Sequence, residues 1–166
     1  MTDSQALNAV ETLLAVEAIK GVKYRYLRAL DTKNWDDFAA TLAPDVTADY
    51  GKSMGSDHKF ADRDSLVTFM RTVMPGNLIS EHRVTHPEIV LTGPDTADGT
   101  WYLQDRVIVP DANLMLIGAA FYHDTYRRTV DGWKISSTGY QRTYDATVPL
   151  SDLPGFKVAF GDALNR

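Results

Sequence analysis

Apolar residues recur at helical spacing through the first 43 residues of the chain. Two series repeat every three or four positions: Leu7, Val10, Leu13 and Leu14, followed by Ile19, Val22, Tyr26 and Leu30. A repeat of about 3.6 residues predicts a long helix with one buried face. Gly21 interrupts the second series and has low helix propensity, so the helix is predicted to break or kink there.

Capping and breaking residues divide the next segment of the chain. Asn34 is a candidate N-cap and Pro44 a helix breaker, while Asp62 or Asp64 can cap a later helix that ends at Pro75. Four short elements are therefore predicted: a helix over residues 35–42, a strand over 45–51, a hairpin partner for it over 55–60, and a helix over 64–74.

Beyond residue 77 the chain is rich in Val, Ile, Thr, Tyr and Trp, which favour strands. Four strands are predicted, over residues 80–91, 97–109, 114–130 and 133–143. The strongest turn signal between them is Asp131-Gly132, typical of a two-residue hairpin. Strands of roughly 11 to 17 residues are much longer than usual, and long antiparallel strands curl. The order of elements predicts an α+β fold, in which a cone-shaped, curved antiparallel sheet wraps around the N-terminal helices and an apolar pocket.

Composition places limits on function. With 166 residues and no long polar linker, a single domain over 1–166 is expected, with a core at about 10–145 and a C-terminal tail over 146–166. The net charge of -5 argues against a nucleic-acid partner, and the absence of cysteine excludes disulfides and thiolate chemistry. The first residues contain no apolar signal core and no stretch is long enough to span a membrane, so cytoplasmic residence is expected by default.

Two histidines and one acid stand out on the predicted strands. His82 and His86 lie an even number of residues apart, so strand alternation places both on one face. A metal site would need a third ligand, for which Asp105 is the only obvious neighbour, and we therefore predict no metal. Asp105 shares its predicted face with apolar residues, which is costly unless the carboxylate is paired. It is a candidate site residue or the partner of a cross-strand arginine.

The end of the long helix carries a second group of candidates. Asp31 lies where the helix dipole disfavours a carboxylate, which makes a purely surface role less expected. Tyr26 and Tyr24 compete for a place in the same cavity. Arg142 faces away from Ile135 unless a bulge intervenes between them, for which Gly139 is the candidate position.

Four stretches together resemble the SnoaL-like family of the nuclear-transport-factor-like superfamily, and especially its scytalone dehydratase and bile-acid dehydratase branch. They are residues 19–36 (IKGVKYRYLRALDTKNWD), 80–89 (SEHRVTHPEI), 97–105 (ADGTWYLQD) and 118–135, which closes on RRTVDGWKI. Their order and spacing cover about residues 10–145. The resemblance implies a cystatin-like α+β barrel and a cofactor-independent lyase or isomerase for a hydrophobic cyclic, polyketide-like or steroid-like molecule.

In dehydratases of this kind a histidine paired with an aspartate is the general base, and a tyrosine polarises the substrate. Carried over by position, the resemblance implies that His82 is the base, Asp31 its orienting acid and Tyr26 the tyrosine. It also places Asp105 and Arg142 in the pocket. We further predict three substrate-binding residues: Tyr50, His86 and Trp101. The implied chemistry requires neither a metal nor an organic cofactor.

Other members of the superfamily leave alternatives open. Related dehydrochlorinases carry a Lys at the position of Tyr26, which favours oxygen-bearing over chlorinated substrates here. Scytalone dehydratase has a second pocket histidine where this chain has Asp105, and ketosteroid isomerases use an aspartate base, for which Asp105 could serve. A non-catalytic small-molecule-binding protein is the main alternative, and a hydrolase or oxygenase of the polyketide-tailoring type is a weaker one. The substrate and the direction of reaction stay open.

The apolar run over residues 114–121 predicts self-association. It has apolar residues on both strand faces, whereas the helices and pocket can cover only one side of a curved sheet. A homo-oligomer is expected, with a trimer ahead of a dimer, as is typical of the dehydratases that the chain resembles. The tail, with Leu153, Phe156, Val158 and Phe160, could instead fold back over that side.

Overall fold

The computed structural model describes residues 3–51 and 58–164, with side chains from residue 8 onward. Within these residues three α-helices and six strands follow the order predicted from the sequence. The helices are α1 (Asp3–Thr32), α2 (Trp35–Ala40) and α3 (Arg63–Val73). The strands are β1 (Leu42–Asp49), β2 (Lys59–Phe60), β3 (Ile79–Gly93), β4 (Thr96–Val109), β5 (Leu114–Thr129) and β6 (Gly132–Pro149).

The strands form one mostly antiparallel sheet among the described residues, in the order β2-β1-β6-β5-β4-β3. Only β1 and β6 run parallel to each other. Strands β3 to β6 are 14 to 18 residues long. Helix α1 contacts both β3, at one edge, and β6, near the other, so the sheet curls around it. The predicted α+β class and the helix-filled curved sheet are confirmed.

Helix α1 supplies the centre of the core. Residues one helical turn apart, including Ile19, Val22 and Tyr26, are fully or almost fully buried. They pack against inward-facing strand residues such as Trp101 and Ile135. The helix is continuous through Gly21, contrary to the predicted break, because this packing outweighs a propensity cost of about 1 kcal/mol.

Several predicted boundaries shift because strand pairing extends them. Strand β1 begins at Leu42 rather than residue 45, since Leu42 pairs with Ile135 of β6. Strand β6 continues to Pro149, where it pairs with Leu114. Part of the predicted hairpin partner over 55–60 lies outside the described residues, while its last two residues form β2 against β1.

Strand β6 has two bulges against β5, and the one between Ile135 and Arg142 decides which face Arg142 occupies. Thr125 pairs with Ser137 but Tyr126 pairs with Ile135, which leaves Ser136 as an extra residue. This single insertion reverses the side-chain alternation, so Arg142 faces the same side as Ile135. The bulge that the sequence analysis considered at Gly139 therefore lies at Ser136. Gly139 instead leaves room for the Asp49 carbonyl of β1, which a Cβ atom would meet.

The chain after β6 forms two short 3₁₀ turns, at Leu150–Asp152 and Asp162–Leu164. Phe156 and Phe160 in this tail remain 44% and 47% exposed. In the described part of the chain, no helix is long and apolar enough to cross a membrane.

Candidate active site

A histidine and an aspartate, 51 residues apart in the chain, meet at one side of a cavity. His82 Nδ1 lies 2.6 Å from Asp31 Oδ1, and the His82 backbone N–H donates to Asp31 Oδ2 at 2.9 Å. Ser80 Oγ also donates to Asp31 Oδ1, at 2.8 Å. Because a carboxylate only accepts hydrogen bonds, Nδ1 carries the ring proton and Nε2 is the nitrogen available to a ligand.

The end of α1 and the start of β3 bring this pair together. Asp31 lies in the last turn of α1, and His82 and Ser80 lie near the start of β3. Only β4 flanks β3 in the sheet of described residues, so α1 can pack against this end of the strand. Both carboxylate oxygens of Asp31 therefore accept hydrogen bonds from residues of β3, which offsets the unfavourable helix dipole.

Four tyrosines line the same cavity: Tyr26, Tyr50, Tyr122 and Tyr140. The hydroxyls of Tyr26 and Tyr50 are 2.9 Å apart, so one donates to the other. Burial raises the pKa of Tyr26, Tyr50 and Tyr122 well above the ordinary value. These phenols are consequently protonated near neutral pH and can act as hydrogen-bond donors. Tyr24, the alternative to Tyr26, is 49% exposed and its ring lies edge-on to Trp101.

Asp105 and Arg142 form an ion pair at another wall of the cavity. Arg142 Nη1 and Nη2 donate to the two oxygens of Asp105 at 2.7 and 2.6 Å. The pair crosses β5 at Gly118, the residue directly opposite Asp105. Asp145 lies 3.2 Å from Arg142 Nε, which places the guanidinium between two carboxylates.

Most of the remaining cavity wall is apolar. Helix α3 contributes Phe69, Met70 and Val73, and the strands contribute Val107, Leu114 and Leu116. The cavity has a volume of about 380 Å³, which suits a small organic molecule. Apolar walls with a few convergent polar groups are typical of a ligand site.

His86 and Trp101 do not lie at this cavity, which corrects two of the predicted binding residues. A register shift between Thr85 and Glu88 breaks the strand alternation, and His86 has a positive φ of 50°. Its ring packs toward Tyr102 instead, 6.5 Å between centres. Trp101 keeps the predicted face but lies deeper in the core, where its Nε1 donates to Tyr126 at 3.1 Å.

The sequence analysis missed a buried ion pair behind the tyrosines. Lys23 Nζ lies 2.8 Å from Asp124 Oδ2, and both side chains are fully buried. Asp124 also accepts hydrogen bonds from Tyr126 and Thr138, both at 2.7 Å. The ammonium is 3.3 Å from the ring centre of Tyr122, a cation–π contact that supports this cavity residue from behind. Lys23 and Asp124 lie 101 positions apart, so periodicity contains no signal of their contact.

Three further residues of the site were not predicted from the sequence: Ser80, Tyr140 and His58. His58 lines the cavity, and its ring lies 4.6 Å from that of Phe69. The Glu81-His82-Arg83 stretch drew attention to β3, yet Ser80 gave no comparable signal because serine is common in strands and turns. Among the described residues, no group of three His, Asp or Glu side chains could hold a metal ion.

A curved sheet filled by a helix, with a largely apolar cavity at its end, defines an α+β domain of the cystatin-like class. A structure described as cystatin-like, from Nostoc punctiforme, superposes with a TM-score of 0.61 at 18% identity and covers 78% of this chain and 91% of that one. The SnoaL-like domain matches residues 11–139. The chain therefore belongs to the SnoaL-like family.

Two solved structures of enzymes share the fold at low identity. A candidate scytalone dehydratase from Novosphingobium aromaticivorans has a TM-score of 0.75 at 16% identity, covering 83% of this chain and 90% of that one. Hexachlorocyclohexane dehydrochlorinase LinA-type3 from Novosphingobium barchaimii has a TM-score of 0.76 at 16% identity, covering 92% and 99%. The SnoaL-like fold is thus shared with lyase-type enzymes.

Proposed function

We propose that this protein is a cofactor-independent dehydratase of the scytalone and bile-acid dehydratase kind, which removes water from a hydrophobic cyclic substrate. The observation that carries the proposal is the His82–Asp31 pair at the wall of the cavity, at 2.6 Å. A protein that only binds a ligand has no need of a histidine oriented in this way. Asp31 fixes the tautomer and stabilises the imidazolium that forms when Nε2 accepts a proton.

The reaction is elimination of water β to a carbonyl group. His82 Nε2 takes the proton from the carbon beside the carbonyl, and the electron pair moves onto the carbonyl oxygen as an enolate. The bonded pair of Tyr26 and Tyr50 hydroxyls stabilises this oxygen: one hydroxyl donates to the oxygen, and the other donates to that hydroxyl. The enolate then re-forms the carbonyl, the β carbon–oxygen bond breaks, and the imidazolium returns its proton to the departing hydroxide. One carbon–carbon double bond and one water molecule result.

The cavity favours a neutral substrate. Its walls are apolar on α3, β4 and β5. Its Arg142 guanidinium is already shared by Asp105 and Asp145, so that end carries a net negative charge. A substrate carboxylate would be repelled there, whereas a hydroxyl or carbonyl oxygen can bond to the pair.

Asp105 is the weaker base candidate, which argues against an isomerase of the ketosteroid type. Both of its oxygens accept charge-assisted hydrogen bonds from Arg142, so the carboxylate is held by the guanidinium and is not directed at a substrate proton. His82 is bonded to Asp31 through Nδ1, which leaves Nε2 as the ring nitrogen that can reach a substrate proton.

The test is a panel of cyclic β-hydroxy ketones and β-hydroxy thioesters incubated with the purified protein. Turnover is detected as absorbance of the conjugated carbonyl product and as a mass lower by one water. His82→Gln should abolish turnover, while His123→Gln, a change of an exposed histidine on β5, should not. Tight binding of the panel with no loss of water would sink the proposal and favour a non-catalytic binding protein.

A further inference from the structure

Lys33 occupies a backbone conformation that normally calls for glycine. Its φ is 59°, in the left-handed region, directly after α1. The Lys33 N–H donates to Leu30 O at 3.2 Å and the Asn34 N–H to Ala29 O at 2.9 Å, a Schellman ending of the helix. Glycine is the usual residue at this position, because a side chain there is strained. A lysine held in this strain indicates that its side chain has a use.

The side chain of Lys33 turns back toward the candidate active site. Lys33 Nζ donates to Ser80 Oγ at 3.0 Å, and Ser80 Oγ donates to Asp31 Oδ1 at 2.8 Å. The same Asp31 oxygen accepts the bond from His82 Nδ1 at 2.6 Å. Burial lowers the pKa of Lys33 to about 8, against the attraction of Asp31, so the amine is still mostly charged at neutral pH. A cation therefore lies directly behind the pair.

We propose that Lys33 is a positioning residue that acts through Ser80, holding the Asp31 carboxylate in place and keeping the His82 imidazole in its neutral, proton-accepting form. The proposal rests on the proposed function of His82 as the base. Asp31 alone would favour the imidazolium, and the nearby ammonium offsets that attraction. Ser80 transmits the contact and also restrains the carboxylate oxygen that faces the histidine.

The other charged groups around this relay do not duplicate Lys33. On β4, Asp105 lies opposite His82 but is paired with Arg142 from β6. On β3, Glu81 is exposed and contacts Arg83 and Arg106. On α2, Asp36 and Asp37 are exposed.

Lys33→Gly is the informative substitution, because it removes the charge while relieving the backbone strain. The His82 ring signals are followed by NMR across the pH range in the substrate-free protein, and His82→Gln identifies them among the four histidines. In Lys33→Gly the His82 titration should move to higher pH by roughly half a pH unit to one pH unit. Its melting temperature should equal or exceed that of the wild type. Lys33→Arg should leave the His82 titration as in the wild type, since arginine keeps the positive charge.

Two further variants separate the relay from a general loss of charge. Ser80→Ala should move the His82 titration in the same direction, because Asp31 then loses one donor. Lys20→Gln removes an equal charge from α1 at about 16.5 Å from Asp31 along the helix, at 1.5 Å per residue, and should leave the titration unchanged. An unmoved His82 titration in Lys33→Gly and in Ser80→Ala overturns the proposal. Because no substrate is used, this result is independent of whether the dehydratase panel shows turnover.

Discussion

Asp105 on β4 and Arg142 on β6 form a bidentate ion pair across the intervening strand β5. They can meet because β5 has Gly118, with no side chain, between them. A Cβ atom at Gly118 would lie 2.6 Å from Arg142 Nη1 and 2.8 Å from Asp105 Oδ1. One glycine therefore permits a charged pair at the wall of an otherwise apolar cavity.

Gly118→Ala should displace this pair. The added methyl group overlaps Arg142 and Asp105, so we expect a loss of about 1–3 kcal/mol in the free energy of unfolding. Urea denaturation measures the change. Gly76→Ala is the matched control, since a Cβ there meets no atom within 4 Å. Equal stability of the two variants would contradict the close passage of the Asp105–Arg142 pair over Gly118.

Arg142→Met should be more damaging than removal of both charges. It leaves Asp105, whose side chain is 2% exposed, as an uncompensated buried carboxylate, at a cost of about 3–5 kcal/mol. Asp105→Leu with Arg142→Met removes both charges and should recover most of that loss. The double-mutant cycle is measured by urea denaturation near neutral pH. A double variant no more stable than Arg142→Met would contradict the prediction.

Asp31→Asn should impair catalysis while preserving the fold. An asparagine amide can donate to His82 Nδ1, which would move the ring proton to Nε2 and remove the base. Turnover of any substrate found by the panel should fall by about 10²- to 10⁴-fold. Asp36→Asn, a change of an exposed acid on α2, is the control and should retain activity. Undiminished kcat in Asp31→Asn would refute the role of the pair.

The buried tyrosines should make the protein sensitive to alkali. Burial raises the pKa of four phenols well above the ordinary value: Tyr26, Tyr50, Tyr122 and Tyr126. In the unfolded chain these phenols ionise at a pH of about 10. The stability that comes from keeping them protonated in the folded protein is therefore complete below that pH and is lost as the pH rises above it. We expect the free energy of unfolding to fall steeply above about pH 10.

Urea denaturation at a series of alkaline pH values measures that fall. Burial also lowers the pKa of Lys23 and Lys33 below the unfolded value of 10.5, and these lysines act with the opposite sign up to that pH, so the comparison is made above about pH 11. Tyr122→Phe should reduce the pH dependence, while Tyr24→Phe, at a half-exposed position, should not. Identical curves for both variants would count against the burial of Tyr122.

We propose that the outer side of the sheet binds further copies of this chain, as a trimer ahead of a dimer. Leu114 and Leu116 line the cavity, whereas Phe121 on the opposite face is 41% exposed and packs against Tyr102. Phe121→Glu should lower the assembly state measured by light scattering. Val130→Glu, at the fully exposed hairpin tip, is the control. A wild-type monomer at micromolar concentration would disprove the assembly.

Local pattern was enough to predict the type and order of the elements, although not every boundary. The spacing of Ile19, Val22 and Tyr26 determines which side of α1 is buried, because helical geometry alone places them on one stripe. Alternation likewise placed Asp105 on the inner face of β4, and Asp131-Gly132 marked the turn between β5 and β6. The contact of His82 with Asp31 was inferred from a family resemblance, since local sequence pattern does not indicate a contact between residues 51 positions apart.

Only the tertiary structure decided which residues of distant chain segments come into contact. The bulge at Ser136 turned Arg142 inward, and the irregularity at His86 turned that histidine outward, because one inserted residue reverses a period of two. The contacts of Lys23 with Asp124 and of Lys33 with Ser80 join helix residues to strands far along the chain. Periodicity reports only which face a residue occupies, whereas the partner on that face depends on strand register and on how the sheet curls around α1.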